Sequence, residues 1–520
     1  MHLKSSSAYL YSMLLRKRIA KPFYWLLPVI ICFFGCGISH PAFNADKKYP
    51  LPELQRDYTI FRNILQESHP SVTWYTPADS MQYYFDWGYR QLKDSMTEPQ
   101  FRTVLTYVIS KIHCGHTSTR YSKKYIHYLD TARLPIFPVS IKVLDNDTVV
   151  LNNTLKRKNA TLPKGTILTS FDGKPFREVI DSIGQFIPSD GYNESYLRQA
   201  VSNRGAFGSW LRLLRGWKSS YELGFIDSTG REQTTIFSLI EPRPKDTIKR
   251  IVIPDLTERL NRRERREERL YEARSLQIDT GLSTAYMTVN TFNNGNQLHS
   301  FFKSSFRELR KERIQHLIID IRSNGGGNVN HSTYLTKMLV DKPFKIADSL
   351  YASNKRSKYG RYIQYNGITG IFMSFITKKK SDGKYHFGYY ERHVFKPVNK
   401  NHYKGNVYVL TGPNSFSAAT IFARAVKGQK NIMLVGEETG GGNYGNTAWF
   451  IPNVTLPETG IRFRLPKFRL VIDKDTEKNG RGVIPDIVIP PTRSSLIQNR
   501  DLKVEKVREL ILSPETVSKN

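Results

Sequence analysis

The chain has 520 residues, more than a single hydrophobic core usually serves, so several folded units are expected. A composition that is 39% hydrophobic and 24% charged is that of a globular protein and excludes a mostly disordered chain. Lys and Arg number 78 against 46 acidic residues, a net charge of +32 that favours anionic partners. The positive charge is scattered, however, and neither zinc-finger spacing nor an RNA-recognition pattern accompanies it, so nucleic-acid binding is not expected.

The N-terminus reads as a targeting segment. Lys4, Arg16, Arg18 and Lys21 precede an apolar run from Phe23 to Phe34, about the length of a signal core and short for a bilayer span. The run ends at Gly35-Cys36, which resembles a bacterial lipoprotein cleavage site and makes Cys36 the expected lipid-bearing residue. Phe33 and Phe34 depart from the usual residues of such sites. The alternatives are an uncleaved anchor or a signal peptide cut further along, and Met13 is a second candidate start. The expected location is therefore the bacterial cell envelope, with the chain exported and membrane-anchored. Cys32, Cys36 and Cys114 are the only cysteines, so no internal disulfide is expected. Cys114 lies between two histidines and reads as a small, partly buried thiol.

After the signal segment (1–36) and a polar tether (37–49), apolar spacing predicts a helical unit over 50–130. Leu54, Phe61 and Leu65 share one helix face, as do Leu105, Val108, Ile109 and Ile112. His69-Pro70 ends the first helix. Short strands then dominate residues 131–247. The Gly165 turn, the apolar strand after it and the Asp172-Gly173 hairpin resemble the centre of a PDZ domain, a module that binds extended peptides. Mixed charges between Arg262 and Arg269 predict an exposed, ion-paired helix within a linker over 248–281. From 282 to 495 strands alternate with helices, the pattern of an α/β sheet. A charged helix or tail (496–520) closes the chain.

Two segments of the α/β unit carry chemistry. His316–Ile321 reads as a buried strand that carries Asp320 and runs into Arg322, Asn324 and three consecutive glycines, Gly325 to Gly327. Glycines there let backbone N–H groups turn toward an anion. In the second, a strand at Val407–Leu410 enters a short loop, and a helix starts near Ser417. A serine at that point is commonly just a helix cap, but its hydroxyl also lies at the positive end of the helix.

Together these segments resemble the C-terminal-processing, or tail-specific, serine peptidases, related to the tricorn protease core. The motifs are Asp320-Ile-Arg-Ser-Asn-Gly-Gly-Gly327, Phe416-Ser-Ala-Ala419, Gly436-Glu-Glu-Thr-Gly-Gly441 and Gly482-Val-Ile-Pro-Asp486, in the family's order. The resemblance implies a multidomain α+β fold: a helical unit, a PDZ-like domain and a ClpP/crotonase-like α/β catalytic core. It implies Ser417 as nucleophile, with the N–H of Ala418 and that of Gly326 or Gly327 as the oxyanion hole. The lysine base of the tail-specific branch has no counterpart, since Gly442 stands there, and Lys427 and Lys430 belong to a helix end. The tricorn-like branch uses a histidine, which matches His116 in Gly115-His116-Thr117, with His113 as rival. The acidic partner falls at Asn479, with Glu477 and Asp475 just before it and Glu437 as a further option. The implied activity is peptide-bond hydrolysis through an acyl-enzyme, acting on peptide or protein substrates without metal or cofactor. The missing lysine and the asparagine keep a second reading, an inactive peptide-binding protein of the same fold.

Overall fold

The computed structural model describes residues 43–153, 162–242 and 260–513. The signal segment, Cys36 and most of the tether lie outside the described residues. The helical unit contains Leu51–Ser68, which carries Pro52 in its first turn and stops at His69 before Pro70. It also contains Glu98–Ser110, fixed at its start by a capping box between Thr97 and Gln100. Between them lies Ala78–Arg90, a helix the apolar spacing does not announce because only Met81, Phe85 and Gly88 are buried on it.

This unit has no core of its own. Leu54, Tyr58, Phe61, Val108 and Ile112 share one buried cluster with Val454, Leu456, Ile461, Phe463 and Leu465 from the far end of the sequence. Phe61 meets Phe463 edge-on at 5.2 Å. Thr119–Arg120 forms a short strand antiparallel to Arg462–Arg464. The segment carrying His116 is thereby tied to the α/β unit.

The β-rich unit is an antiparallel sheet with strand order Val139–Val143, Thr148–Asn153, Ile167–Phe171, Tyr221–Ile226, Glu232–Phe237. Asp172 and Gly173 form the predicted hairpin turn to Lys174–Pro175, both with positive φ (50° and 74°), as a two-residue turn of the favoured hand requires. Its separate core gathers Phe171, Phe176, Phe207 and Tyr221.

The α/β unit is built on a six-stranded sheet: Arg274–Asp279, Thr284–Val289, His316–Asp320, Asn406–Thr411, Ile432–Gly436, Ile487–Val488. Only the first pair is antiparallel. The charged helix is present as Arg262–Ala273, with an Arg263–Glu267 ion pair at 2.9 Å. The strand after it, however, belongs to the catalytic sheet, so that sheet begins inside the expected linker. The closing helix Leu502–Leu512 is likewise no loose tail, because Val507 and Leu510 pack against Ile318, Tyr408 and Val435. In the parallel part, Asp320 pairs with Leu410 and Val409 with Leu434. Parallel neighbours end at the same sheet edge, where ligands of open α/β sheets bind. The glycine loop, the Ser417 loop and the Glu437–Gly442 loop therefore emerge side by side.

Candidate active site

Ser417 sits immediately before the helix Ala418–Val426, with φ 56° and ψ −120°. A non-glycine residue in this region is strained, and such strain concentrates where a side chain must be presented. Its hydroxyl makes no capping bond, so the cap role open to a serine here is not taken. The loop is held from beneath. Ser415 Oγ donates to the Ile321 carbonyl at 2.8 Å, and Phe416 N–H donates to the Asn324 carbonyl at 3.0 Å. Asn324 is fully buried; its side chain donates to the Val289 carbonyl and accepts from Gly326 N–H, both at 2.9 Å.

That last bond corrects the expectation for Gly326, whose N–H is already used. Gly326 serves by lacking a side chain: a Cβ there would lie 2.7 Å from Ser417 Cβ and 3.0 Å from Ala418 N. The N–H groups of Ala418 and Gly327 have no acceptor among the described residues. Ala418 stands at a helix start directly after Ser417, and Gly327 lines the cleft wall.

Ser417, His116, Gly326, Gly327, Tyr196 and Arg464 line one cleft of about 850 Å³. The Phe416 ring packs against the His116 imidazole (4.9 Å between centroids) and against Tyr196 (5.3 Å). Gly115 permits this approach, since a Cβ on it would come within 2.5 Å of the Phe416 ring. His116 is buried, and neither ring nitrogen has a hydrogen-bond partner. Burial, with the nearby Arg464 cation, lowers its pKa to about 3, so the ring is neutral.

The carboxylate beside His116 is Asp190, which sequence reasoning missed. Its Oδ1 lies 3.9 Å from His116 Nδ1, and both side chains are buried. Asp190 accepts from Gly115 N–H at 2.8 Å and from Gly442 N–H at 3.4 Å. Burial raises its pKa to about 6 despite these bonds. Its segment is pinned on three sides: Gly191 N–H donates to the His113 carbonyl, Tyr192 N–H to the Gly480 carbonyl, and Asn193 Nδ2 to the Thr439 carbonyl. In the sequence Ser189-Asp190-Gly191 carries only the mark of a turn, so nothing there singles it out.

The structure does not bring Asn479 or Glu477 to His116. Both are exposed; Asn479 Nδ2 donates to Glu477 at 3.3 Å, and its oxygen accepts from Arg481 N–H. Their loop does reach the Asp190 segment, but through the Gly480 backbone. Asp475 is exposed too. Glu437 pairs with Lys503 at 2.6 Å, and Lys427 donates to the Ile484 carbonyl, so neither is in the cleft. His113 turns its Nδ1 to the Gly191 carbonyl at 3.1 Å. At Gly442 a Cβ would lie 2.5 Å from the Gly445 carbonyl oxygen, so a lysine has no room where the tail-specific branch places one. Glu438, unremarked in the sequence, is a buried staple that binds Arg481, Gly482 N–H and Ser195.

Residues 283–489 match the sequence model of peptidase family S41. That segment is a peptidase family S41 domain, and the protein is a serine-type peptidase. Among solved structures, mature CPAF is 14% identical, with a TM-score of 0.61 over 90% of this chain and 99% of that one. That likeness shows a shared fold. The photosystem II D1 C-terminal processing protease is also 14% identical, covering 86% of this chain and 96% of its own, at a TM-score of 0.39. The tricorn protease is 12% identical over 89% of this chain and 37% of its own, at 0.37. As a peptidase the protein takes peptide or protein substrates.

Proposed function

We propose that this S41 peptidase cuts through an acyl-enzyme on Ser417, with His116 as general base and Asp190 in the place expected of Asn479. The reading is carried by one observation. A strained, uncapped serine hydroxyl shares a cleft with a buried, neutral, unpartnered imidazole backed by a buried carboxylate. His116 Nδ1 faces Asp190, which leaves Nε2 for the serine proton. The 3.9 Å separation closes to a hydrogen bond as substrate fills the cleft, as catalytic contacts commonly tighten on binding. Ser417 Oγ then attacks the scissile carbonyl. The N–H groups of Ala418 and Gly327 hold the oxyanion, and His116 returns its proton to the leaving amine. Water next attacks the ester with His116 again as base, releasing the acid and restoring Ser417. Asp190 keeps the ring oriented and offsets its charge in the transition state.

A fluorophosphonate probe tests this directly. We expect labelling at Ser417, none in Ser417→Ala, and labelling slowed by at least about a hundredfold in His116→Ala. A correctly folded wild-type chain that never labels, yet retains peptide binding, would favour the non-catalytic reading. Equal labelling rates with and without His116 would reject it as the base.

The location follows from the sequence reading: an exported lipoprotein anchored through Cys36 in the cell envelope. Metabolic labelling with a fatty-acid analogue should mark the wild type and not Cys36→Ala.

A further inference from the structure

The helix Asn366–Ile376 presents its apolar side chains the wrong way round for a soluble protein. Tyr365 (67% exposed), Ile368 (70%), Phe372 (45%) and Phe375 (86%) fall at positions i, i+3, i+7 and i+10, one stripe along the surface, with Ile371 (53%) beside them. The opposite side is anchored by Gly370 and Met373, and Gly370 lets the Arg356 side chain pass close to the helix. Phe372 meets Phe450 at 5.2 Å, and Ile451, next along the chain, lines the Ser417 cleft. A continuous apolar stripe of this kind marks an interaction surface.

Charge identifies the occupant. Lys355, Arg356, Lys358 and Arg361 precede the helix, and Lys378, Lys379 and Lys380 follow it, with no acidic residue between Lys355 and Lys380. Lys378 and Lys379 are exposed and pair with no carboxylate among the described residues. Lys380 alone of the three finds one, Glu391 at 2.7 Å. Protruding Phe and Ile flanked at both ends by cations, with Lys355, Lys358 and Arg361 before the helix lying over tyrosine rings and Lys378 and Lys379 after it meeting no carboxylate among the described residues, is the pattern of a helix lying in the surface of an anionic bilayer: rings enter the acyl boundary and cations meet phosphates. With 11 residues, about 16 Å, the helix is far too short to span a membrane.

We propose that Asn366–Ile376 and its flanking lysines form a lipid-docking element that seats the rim of the catalytic cleft on an anionic membrane surface. It acts through its own side chains and is independent of any acyl group on Cys36. The substrates it favours are polypeptide segments lying close to the lipid headgroups.

Hydrogen exchange of the full chain carrying Cys36→Ala tests this, because the readout is local. With phosphatidylglycerol vesicles, amides over 365–377 should exchange about tenfold or more slowly than with phosphatidylcholine vesicles, and added salt should weaken the effect. The double variant Phe372→Glu/Phe375→Glu should lose this protection while hydrolysing a soluble peptide at the wild-type rate without vesicles. Neutralising Lys378, Lys379 and Lys380 to Gln should reduce protection without removing it. No local protection on phosphatidylglycerol would overturn the proposal. So would protection that rises with protein concentration in the absence of vesicles, since the stripe would then be covered by a second copy of the chain.

Discussion

At the residue scale, the pairing of His116 with Asp190 decides most of what can be measured. Asp190→Asn should lower kcat/KM by roughly two to four orders of magnitude, whereas Asn479→Ala and Glu477→Ala should stay within about threefold of wild type. Parity between the Asp190 and Asn479 variants would return the third position to the 477–479 loop. Acid dependence follows from the same two groups. His116 stays neutral down to about pH 3, while Asp190 ionises near pH 6, so kcat/KM should rise through about pH 6 as the carboxylate that balances the imidazolium appears. That limb should flatten in Asp190→Asn. Stability has its own acid limb. His116 and His69 are both buried with pKa values lowered to about 3, so folded and unfolded chains bind the same protons at these sites above their ordinary pKa. As pH falls from about 6.5 toward 3, only the unfolded chain gains them, which destabilises the fold, while Asp190, protonated first in the folded chain, offsets part of that loss below about pH 6. Urea midpoints should therefore fall from pH 7 to pH 4, and less so in His69→Gln. Ser417 and His116, which the family resemblance implies from short contiguous motifs, line one cleft. Asp190 was not legible in the sequence, since its role comes from the fold bringing residue 190 beside residue 116. Nor was Gly326, whose N–H is taken by Asn324.

At the scale of elements, three parallel strands ending at one edge explain why the glycine loop, the serine loop and the Glu437–Gly442 loop meet. The alternation of strands and helices over 282–495 announced the α/β sheet, whose strands include Thr284–Val289, His316–Asp320 and Asn406–Thr411. It missed Arg274–Asp279 because a charged helix runs directly into that strand. Gly442 shows how the loops exclude the alternative chemistry. Gly442→Lys should not restore a lysine-based site; it should lower the melting temperature by several degrees and reduce activity, because its Cβ meets the Gly445 carbonyl and its N–H supports Asp190. A lysine variant that melted and cut like the wild type would show that the loop yields more easily than its contacts indicate.

At the scale of the whole molecule, the helical unit and the α/β unit are one cooperative body, since Phe61 and Phe463 belong to the same core. Composition and periodicity mark where helices are, but not that their apolar faces are completed by residues some 400 positions later, so separate units were expected. A chain lacking residues 50–120 should be insoluble rather than merely inactive, with Val454, Ile461 and Phe463 laid bare; a soluble, folded product would contradict the shared core.

The pinning of the Asp190 segment by the Gly480 carbonyl and by Thr439 also sets a clock. A polypeptide made from its N-terminus holds its proposed base early and the supporting carboxylate soon after. The attacking hydroxyl comes some three hundred residues after that base, and the clasp at residue 480 later still. On these roles the nascent chain cannot digest itself or its neighbours before residue 480 has been made, and cutting power arrives only after that.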